Sequence, residues 1–245
     1  MRLDQFLVER GDFPSRARAQ AAIRAGCVLI NGAPAIKPSA TAPKNANIRV
    51  EGDAHPYVSR GGVKLAAALD VFEIDPSGKI CLDLGASTGG FSDVLLRRNA
   101  KRVFAVDVGV DQLHASLSAD PRVVNLERTH AKDLSPALIT DPIDLLVADV
   151  SFISLKKAAP NVLGLCAPSA HAVLLVKPQF EAGRQAIGKG GIVSLTPAQT
   201  RAIAEDIGRW LERDIGQWKV TDLAESPIAG GDGNREYLLA ASRGL

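Results

Sequence analysis

From Ile80 onward the chain alternates short apolar runs with helical stretches: ICLDLG, a helix through 94–98, RVFAVDVG, VVNLE, DLLVADVS and AVLLVKP. Apolar runs of this length read as strands covered on both faces. Strands separated by helical crossovers read as parallel neighbours in a doubly wound sheet. The expected fold class is therefore α/β and Rossmann-like. With aromatics at only 4% of residues, the core must be built from Ala, Val, Leu and Ile. After the last of these runs, Thr196 can cap a helix with Pro197 in its first turn and Gln199 in the capping-box position. Ile203, Ile207, Trp210 and Leu211 form that helix's apolar stripe. Trp218–Leu223 and Tyr237–Ala241, joined by PIAGGDGNRE, predict a closing antiparallel hairpin.

The first fifty residues read differently. Leu3, Phe6 and Leu7 fall at helical spacing before Gly11. Ser15 can cap a second helix whose apolar face holds Ala19, Ala22 and Ile23, with Gly26 as its stop. In CVLINGAPAI the Asn31-Gly32 pair is a strong hairpin signal, because both central turn positions need positive φ. A polar loop follows over 38–47, then the closing strand Ile48–Val50. Residues 1–60 carry nine Lys/Arg against five Asp/Glu, whereas the remaining 185 are net −2. Positive charge gathered at one end suits a polyanion. Arg16, Arg18 and Arg24 lie around the second helix, where at least part of the set can face outward together. The order RLDQFL, SRARAQAAIRAG, VLINGAPA resembles the small α+β S4 RNA-binding domain. That resemblance implies that the arginine-bearing helix and the hairpin meet the RNA backbone, which suits guanidinium–phosphate geometry. The expected organisation is a domain over 1–50, a linker over 51–58 (EGDAHPYV), and a catalytic domain over 59–245.

CLDLGASTGGFSDVLL places Asp83 at a strand end before Gly85, Ser87, Thr88, Gly89, Gly90 and Phe91. The glycines let backbone approach a ligand at the mouth of the first strand, the favoured site of an open α/β sheet. The stretch lacks the G-x-G-x-x-G of dinucleotide binders and the Gly-Lys-Ser/Thr of phosphate loops. The next strand ends in Asp107, 24 positions after Asp83, where a carboxylate can accept both hydroxyls of a ribose. Asp133 in AKDL follows the third strand, where an adenine amino group could be met. Three acid-bearing strand ends without a phosphate cradle point to S-adenosylmethionine.

The acceptor atom is narrowed by what is missing. Amine methylators usually carry Asp/Asn-Pro-Pro-Tyr/Phe after the fourth strand, and here that position reads Asp149-Val150-Ser151-Phe152. Pyrimidine carbon-5 methylation needs a thiolate, and Cys166 in LGLCAPS lacks the expected context. SRGGVKL, DLGASTGGFSDVLL, DVSFISL, LLVKPQFE and GNREYLL together resemble the TlyA family of ribosomal RNA 2′-O-methyltransferases, formerly called haemolysins. The catalytic part is similar to FtsJ-type ribose methyltransferases with their Lys-Asp-Lys-Glu tetrad. That resemblance implies Lys64, Asp149, Lys177 and Glu236 as catalytic residues. A ribose hydroxyl needs a base, and a lysine of ordinary pKa, ~10.4, must be tuned by burial or a second cation to serve. Lys177, at a strand end with Lys64 as cationic neighbour, is the candidate base. Asp149 and Glu236 would orient the two lysines and balance their charge.

Cys27, Cys81 and Cys166 are odd in number and far apart, which suggests neither a disulfide framework nor a zinc site. No apolar run approaches the ~18 residues that span a bilayer. The expectation is a cytoplasmic monomer acting on ribosomal RNA or ribosomal subunits, without metal or membrane, and the family resemblance implies cytidine as the nucleotide. Three rivals stand against it: an S4-bearing pseudouridine synthase, a membrane-active haemolysin, and a catalytically silent RNA-binding protein. The first would lack the cofactor loop, the second has no membrane-length segment, and the third would not need the intact tetrad.

Overall fold

The computed structural model describes residues 1–13, 15–24, 26–35, 37–42, 46–50, 55–183, 186–188, 191–230 and 232–244. Contacts divide the chain into two units, Met1–Arg60 and Gly61–Leu245.

In the first unit, Leu3 and Leu7 lie one helical turn apart and are wholly buried on the inner face of α1 (Leu3–Glu9). The second helix, α2 (Arg16–Arg24), starts where the Ser15 hydroxyl accepts the Arg18 amide at 3.3 Å. Gly26, at φ 76°, ends it. Ala19, Ala22 and Ile23 close on Leu3, Leu7, Phe13, Val28 and Ile48 to make a small core. Strands β1 (Val28–Ile30), β2 (Ala33–Pro34) and β3 (Ile48–Val50) form an antiparallel sheet in the order β2-β1-β3. Asn31 and Gly32 both have positive φ, 51° and 84°, which makes the two-residue turn that the Asn-Gly pair predicts. One charge is inside. Asp4 is fully buried and accepts from Arg2, Gln20 and Arg16 side chains. The Arg2 guanidinium beside it, helped by Gln20 and Arg16, holds its carboxyl well below the usual range against the opposing effect of burial.

Of the linker anticipated over 51–58, residues 51–54 lie outside the described residues, and 55–58 group with the first unit. His55 is buried there, its Nδ1 3.2 Å from an Arg18 guanidinium nitrogen that also donates to the Tyr57 carbonyl.

The second unit begins with α3 (Gly61–Val71), β4 (Ile80–Leu84), α4 (Gly90–Arg97), β5 (Arg102–Val106), α5 (Ala115–Ser118) and β6 (Val123–Leu126). It continues with β7 (Ile143–Ala148), α6 (Leu155–Ala158), α7 (Pro160–Gly164), β8 (Cys166–Val176) and α8 (Pro178–Glu181). Last come α9 (Pro197–Trp210), β9 (Lys219–Glu225) and β10 (Tyr237–Arg243). The seven strands form one sheet, β6-β5-β4-β7-β8-β10-β9, parallel from β6 to β8. Antiparallel β10 is inserted between β8 and β9. This is the Rossmann-like α/β fold the alternation predicts. Leu82, Leu146, Leu174 and Leu239 run through the buried middle of four adjacent strands. The capping box of α9 is present, with Thr196 accepting from the Gln199 amide. That helix covers the sheet with Ala204, Ile207 and Trp210, while Ile203 is only half-buried. The successors of β4 lie on opposite sides of it, β5 on one and β7 on the other. A crevice at its C-terminal end follows from that reversal.

Candidate active site

Strand ends supply three of the four tetrad positions, and a helix supplies the fourth. Val176 in β8 pairs with Tyr237 in β10, so Lys177 and Glu236 emerge side by side at the same edge of the sheet. Asp149 follows directly on β7, the neighbour of β8 on its other side. Lys64 comes from the first turn of α3 and donates to Glu236 Oε2 across 172 residues of sequence. Those two side chains are sealed, at 9% and 3% exposure. Gly230 is required here, because a Cβ on it would sit 2.6 Å from Glu236 Oε1. Asn234, also buried, donates to the Gly191 carbonyl and accepts from the Val193 amide, which ties a neighbouring loop to the approach of Glu236.

The second pair is Lys177 with Asp149, Nζ to Oδ1 2.5 Å, and the carboxylate side chain is 21% exposed. The contact is an ion pair, and that oxygen has no other partner among the described residues. The hydrogen bond of Lys177 goes to Ser151 Oγ at 2.7 Å. Phe152 follows at φ 65° with almost its whole side chain in solvent, and its ring lies 5.2 Å from that of Phe180. Lys177 Nζ is 6.0 Å from the Phe180 ring centre. Glu181 braces the far end of the turn, accepting from the Ser154 hydroxyl at 2.5 Å and the Leu155 amide at 2.8 Å.

The glycine-rich loop abuts this pair. A Cβ on Gly85, φ 83°, would meet the Asp149 carbonyl oxygen at 2.6 Å, so only glycine lets the loop and the catalytic strand end touch. Gly89 and Gly90 start α4, and Phe91 is buried beneath them. Ser87 is exposed and Thr88 half-buried at the loop surface. Asp83 is wholly buried. Its Oδ2 accepts from the Ser92 amide and hydroxyl at 2.9 and 2.7 Å, and its Oδ1 has no partner among the described residues. Burial pushes its carboxyl up to about 7, against the Ser92 hydrogen bonds and with help from the nearby Asp149 charge. Asp107 accepts from the Ser87 amide at 2.8 Å and the Gly109 amide at 2.7 Å, one on each oxygen. Asp133 ends an exposed 3₁₀ turn, Ala131–Asp133, that Asn161 secures by donating to the Ala131 and Leu134 carbonyls.

A family profile described as FtsJ-like methyltransferase matches residues 57–243, and one described as S4 domain matches residues 1–48. The chain belongs to the FtsJ-like methyltransferase family. It is 45% identical, over 97% of its own length and 88% of the relative's, to the 16S/23S rRNA (cytidine-2′-O)-methyltransferase TlyA of Mycobacterium tuberculosis. It is 42% identical to Hemolysin A of Brachyspira hyodysenteriae, over 97% of this chain and 98% of that one. A solved structure of a Streptococcus thermophilus protein called a hemolysin superposes with a TM-score of 0.77 at 37% identity, covering 99% of this chain and 88% of that one.

Several features of this FtsJ-like site escaped the sequence reading. Glu127 accepts from the Gln112 and Leu113 amides at 2.7 and 3.1 Å and so shapes the loop after Asp107. Those two amides, Leu113 foremost, lower its carboxyl below the ordinary range. Ser151 stood inside a segment noted only for lacking a proline pair. In the first unit Arg16 and Arg24 are exposed, so part of the set faces outward together, and Arg18 is half-buried. Its guanidinium is engaged by His55 and Tyr57, which the chain brings back 37 and 39 residues later. Cys166 opens β8 at the end opposite Lys177, and burial pushes its thiol up to about 12, which suits no nucleophile. Among the described residues no group of three or more His, Cys, Asp or Glu could hold a metal, and no helix is long and apolar enough to cross a membrane.

Proposed function

We propose that this protein methylates the ribose 2′-hydroxyl of cytidine in ribosomal RNA, with S-adenosylmethionine as donor, in the cytoplasm. The observation that carries the reading is the meeting of two lysine–carboxylate pairs at one sheet edge, with the glycine loop packed against Asp149. The cytidine-2′-O-methyltransferase of M. tuberculosis, which this chain matches almost from end to end, supports the substrate class.

The residues present fit the cofactor. Asp83 Oδ1, buried without a partner, suits a cationic group or a water that bridges to one. Each Asp107 oxygen has accepted one amide and keeps a lone pair for a ribose hydroxyl. Gly85 and Gly89 let the loop pack closely on the Asp149 backbone and on the Leu113 and Leu117 side chains, which fixes its course at the strand mouth. Ser87, Thr88, Gly90 and Phe91 would complete the loop's contact, and Asp133 would meet the adenine amino group. When bound, S-adenosylmethionine supplies a methyl carbon made electrophilic by a cationic sulfur.

Lys177 Nζ would take the proton from the 2′-hydroxyl. Asp149, charged and adjacent, steadies the ammonium that results. Lys64 and Glu236 form the sealed wall behind it, their charges balanced so that neither is buried alone. Arg16 and Arg24 would hold the RNA backbone by its phosphates, as the S4 match suggests. The test is Lys177→Arg on unmodified ribosomal subunits under single-turnover conditions with cofactor saturating. A guanidinium stays protonated and cannot accept the proton, so methyl transfer should fall at least about 10³-fold with cofactor affinity retained. Substantial methylation by this variant would mean that the cation only positions RNA.

A further inference from the structure

The tetrad's two lysines differ in what they are bonded to. Lys64 has one hydrogen-bond partner among the described residues, Glu236. Lys177 has a charge partner, Asp149, and a separate neutral acceptor, Ser151 Oγ at 2.7 Å. We propose that Ser151 is a positioning residue for the methyl transfer, one that aims the lone pair of Lys177 at the ribose hydroxyl.

Nζ is tetrahedral. An amine poised to act as a base carries two N–H bonds and one lone pair about Nζ, with Cε as the fourth substituent. Charge alone cannot set the rotation about Cε–Nζ, because Asp149 attracts whichever hydrogen turns toward it. A hydrogen bond to Ser151 fixes one of the three remaining directions. The second hydrogen then settles toward Asp149, and the lone pair must occupy the third direction. When the hydroxyl gives up its proton, the O–H bond breaks and Nζ becomes an ammonium. The Ser151 and Asp149 contacts need not rearrange, so no reorganisation accompanies the transfer.

The backbone holds Ser151 in place for this. Asp149 donates its amide to the Leu84 carbonyl at 2.9 Å, which anchors the near end of the turn on β4. Phe152 reverses the chain at φ 65°, and Glu181 clamps Ser154 and Leu155 at the far end. Glu181 lies four residues after Lys177, so the same short segment carries the base and braces the turn that aims it. Because Ser151 is exposed, a substitution there disturbs no core.

This inference rests on Lys177 being the base, and the experiment separates the two. Single-turnover methylation is measured for Ser151→Ala, Ser151→Thr and Lys177→Arg, alongside RNA and cofactor affinity and Tm. Ser151→Ala should lower the methylation rate about 10-fold to 100-fold, the scale on which a misaligned reacting group costs rate. Both affinities and Tm should stay at wild type. Ser151→Thr, which keeps the hydroxyl, should recover most of the rate. A wild-type rate for Ser151→Ala beside an inactive Lys177→Arg overturns the role of Ser151 alone. An active Lys177→Arg overturns the reading beneath it. Equal loss in the Ala and Thr variants would also overturn the proposal, since the hydroxyl would then not be what matters.

Discussion

Lys64–Glu236 and Lys177–Asp149 are built from the same two functional groups, yet their surroundings differ. The first pair is closed over, its lysine entering from a helix and its carboxylate admitted only because residue 230 has no side chain. The second pair opens toward solvent through Asp149 and has the Ser151 hydroxyl and the Phe180 ring beside its lysine. A charge pair sealed from water is held by the cost of leaving either partner alone, whereas a half-open pair can exchange a partner for substrate. Under the proposed function, the first pair does scaffold work and the second does proton work.

Asparagine at 149 and glutamine at 236 put that contrast under the most strain. Asp149→Asn should cut single-turnover methylation about 10³-fold while costing about 2 kcal/mol of stability, less than the sealed pair because its carboxylate is 21% exposed, although Lys177 is as buried as Lys64. Glu236→Gln should instead cost about 3 kcal/mol, since it strands the Lys64 charge in a buried site. Chemical denaturation and a methyl-transfer assay on both variants decide the matter, and equal stability losses would erase the distinction.

A third carboxylate sharpens it from another side. Asp83 keeps its proton up to about pH 7 in the fold and loses it near 3.8 when unfolded. The folded state therefore binds more protons between those values, and stability contributed by this group falls as pH rises through the window. Compared with Asp83→Asn, the wild type should lose roughly 1.4 kcal/mol of relative stability per pH unit from about 4 to about 7. Parallel stability–pH curves for the two proteins would show that Asp83 ionises normally.

The smallest effect concerns the first unit, where Arg24 faces solvent, Arg16 is exposed but also reaches buried Asp4 at 3.3 Å, and Arg18 is engaged by His55 and Tyr57. Replacing Arg16 and Arg24 with Ala should weaken RNA binding several-fold and reduce the slope of log K against log salt by about 1 to 2. Arg18→Ala should leave the slope near wild type and lower Tm, because its guanidinium holds His55 and Tyr57. A large slope change from Arg18→Ala would reverse the assignment.

What could be read from the sequence followed physical locality. The Asn31-Gly32 turn and the Thr196–Gln199 capping box are decided within four residues, and both stand as read. Strands β4, β7 and β8 were legible because burial on both faces leaves an apolar run with no alternation. Ser151 was not, because its aim depends on a left-handed residue at Phe152 and a clamp from Glu181, 27 residues beyond Ser154. The surroundings of Arg18 were hidden for the same reason. A helical wheel gives the side of α2 on which it stands but not what later chain covers that side. Asp133 was placed by strand counting alone, and the structure puts it on an exposed turn.

The insertion of β10 between β8 and β9 bears on synthesis. The strand that follows Glu236 is the last described element, and it must enter between two strands that precede it in the chain. While translation proceeds, β8 lacks its neighbour on that side, and Lys64 lacks its counter-charge. The half-made protein therefore has its other three tetrad residues without the wall that closes the site. The tetrad is complete only once the strand after Glu236 has paired along β8, so closure of the site and completion of the sheet are one event.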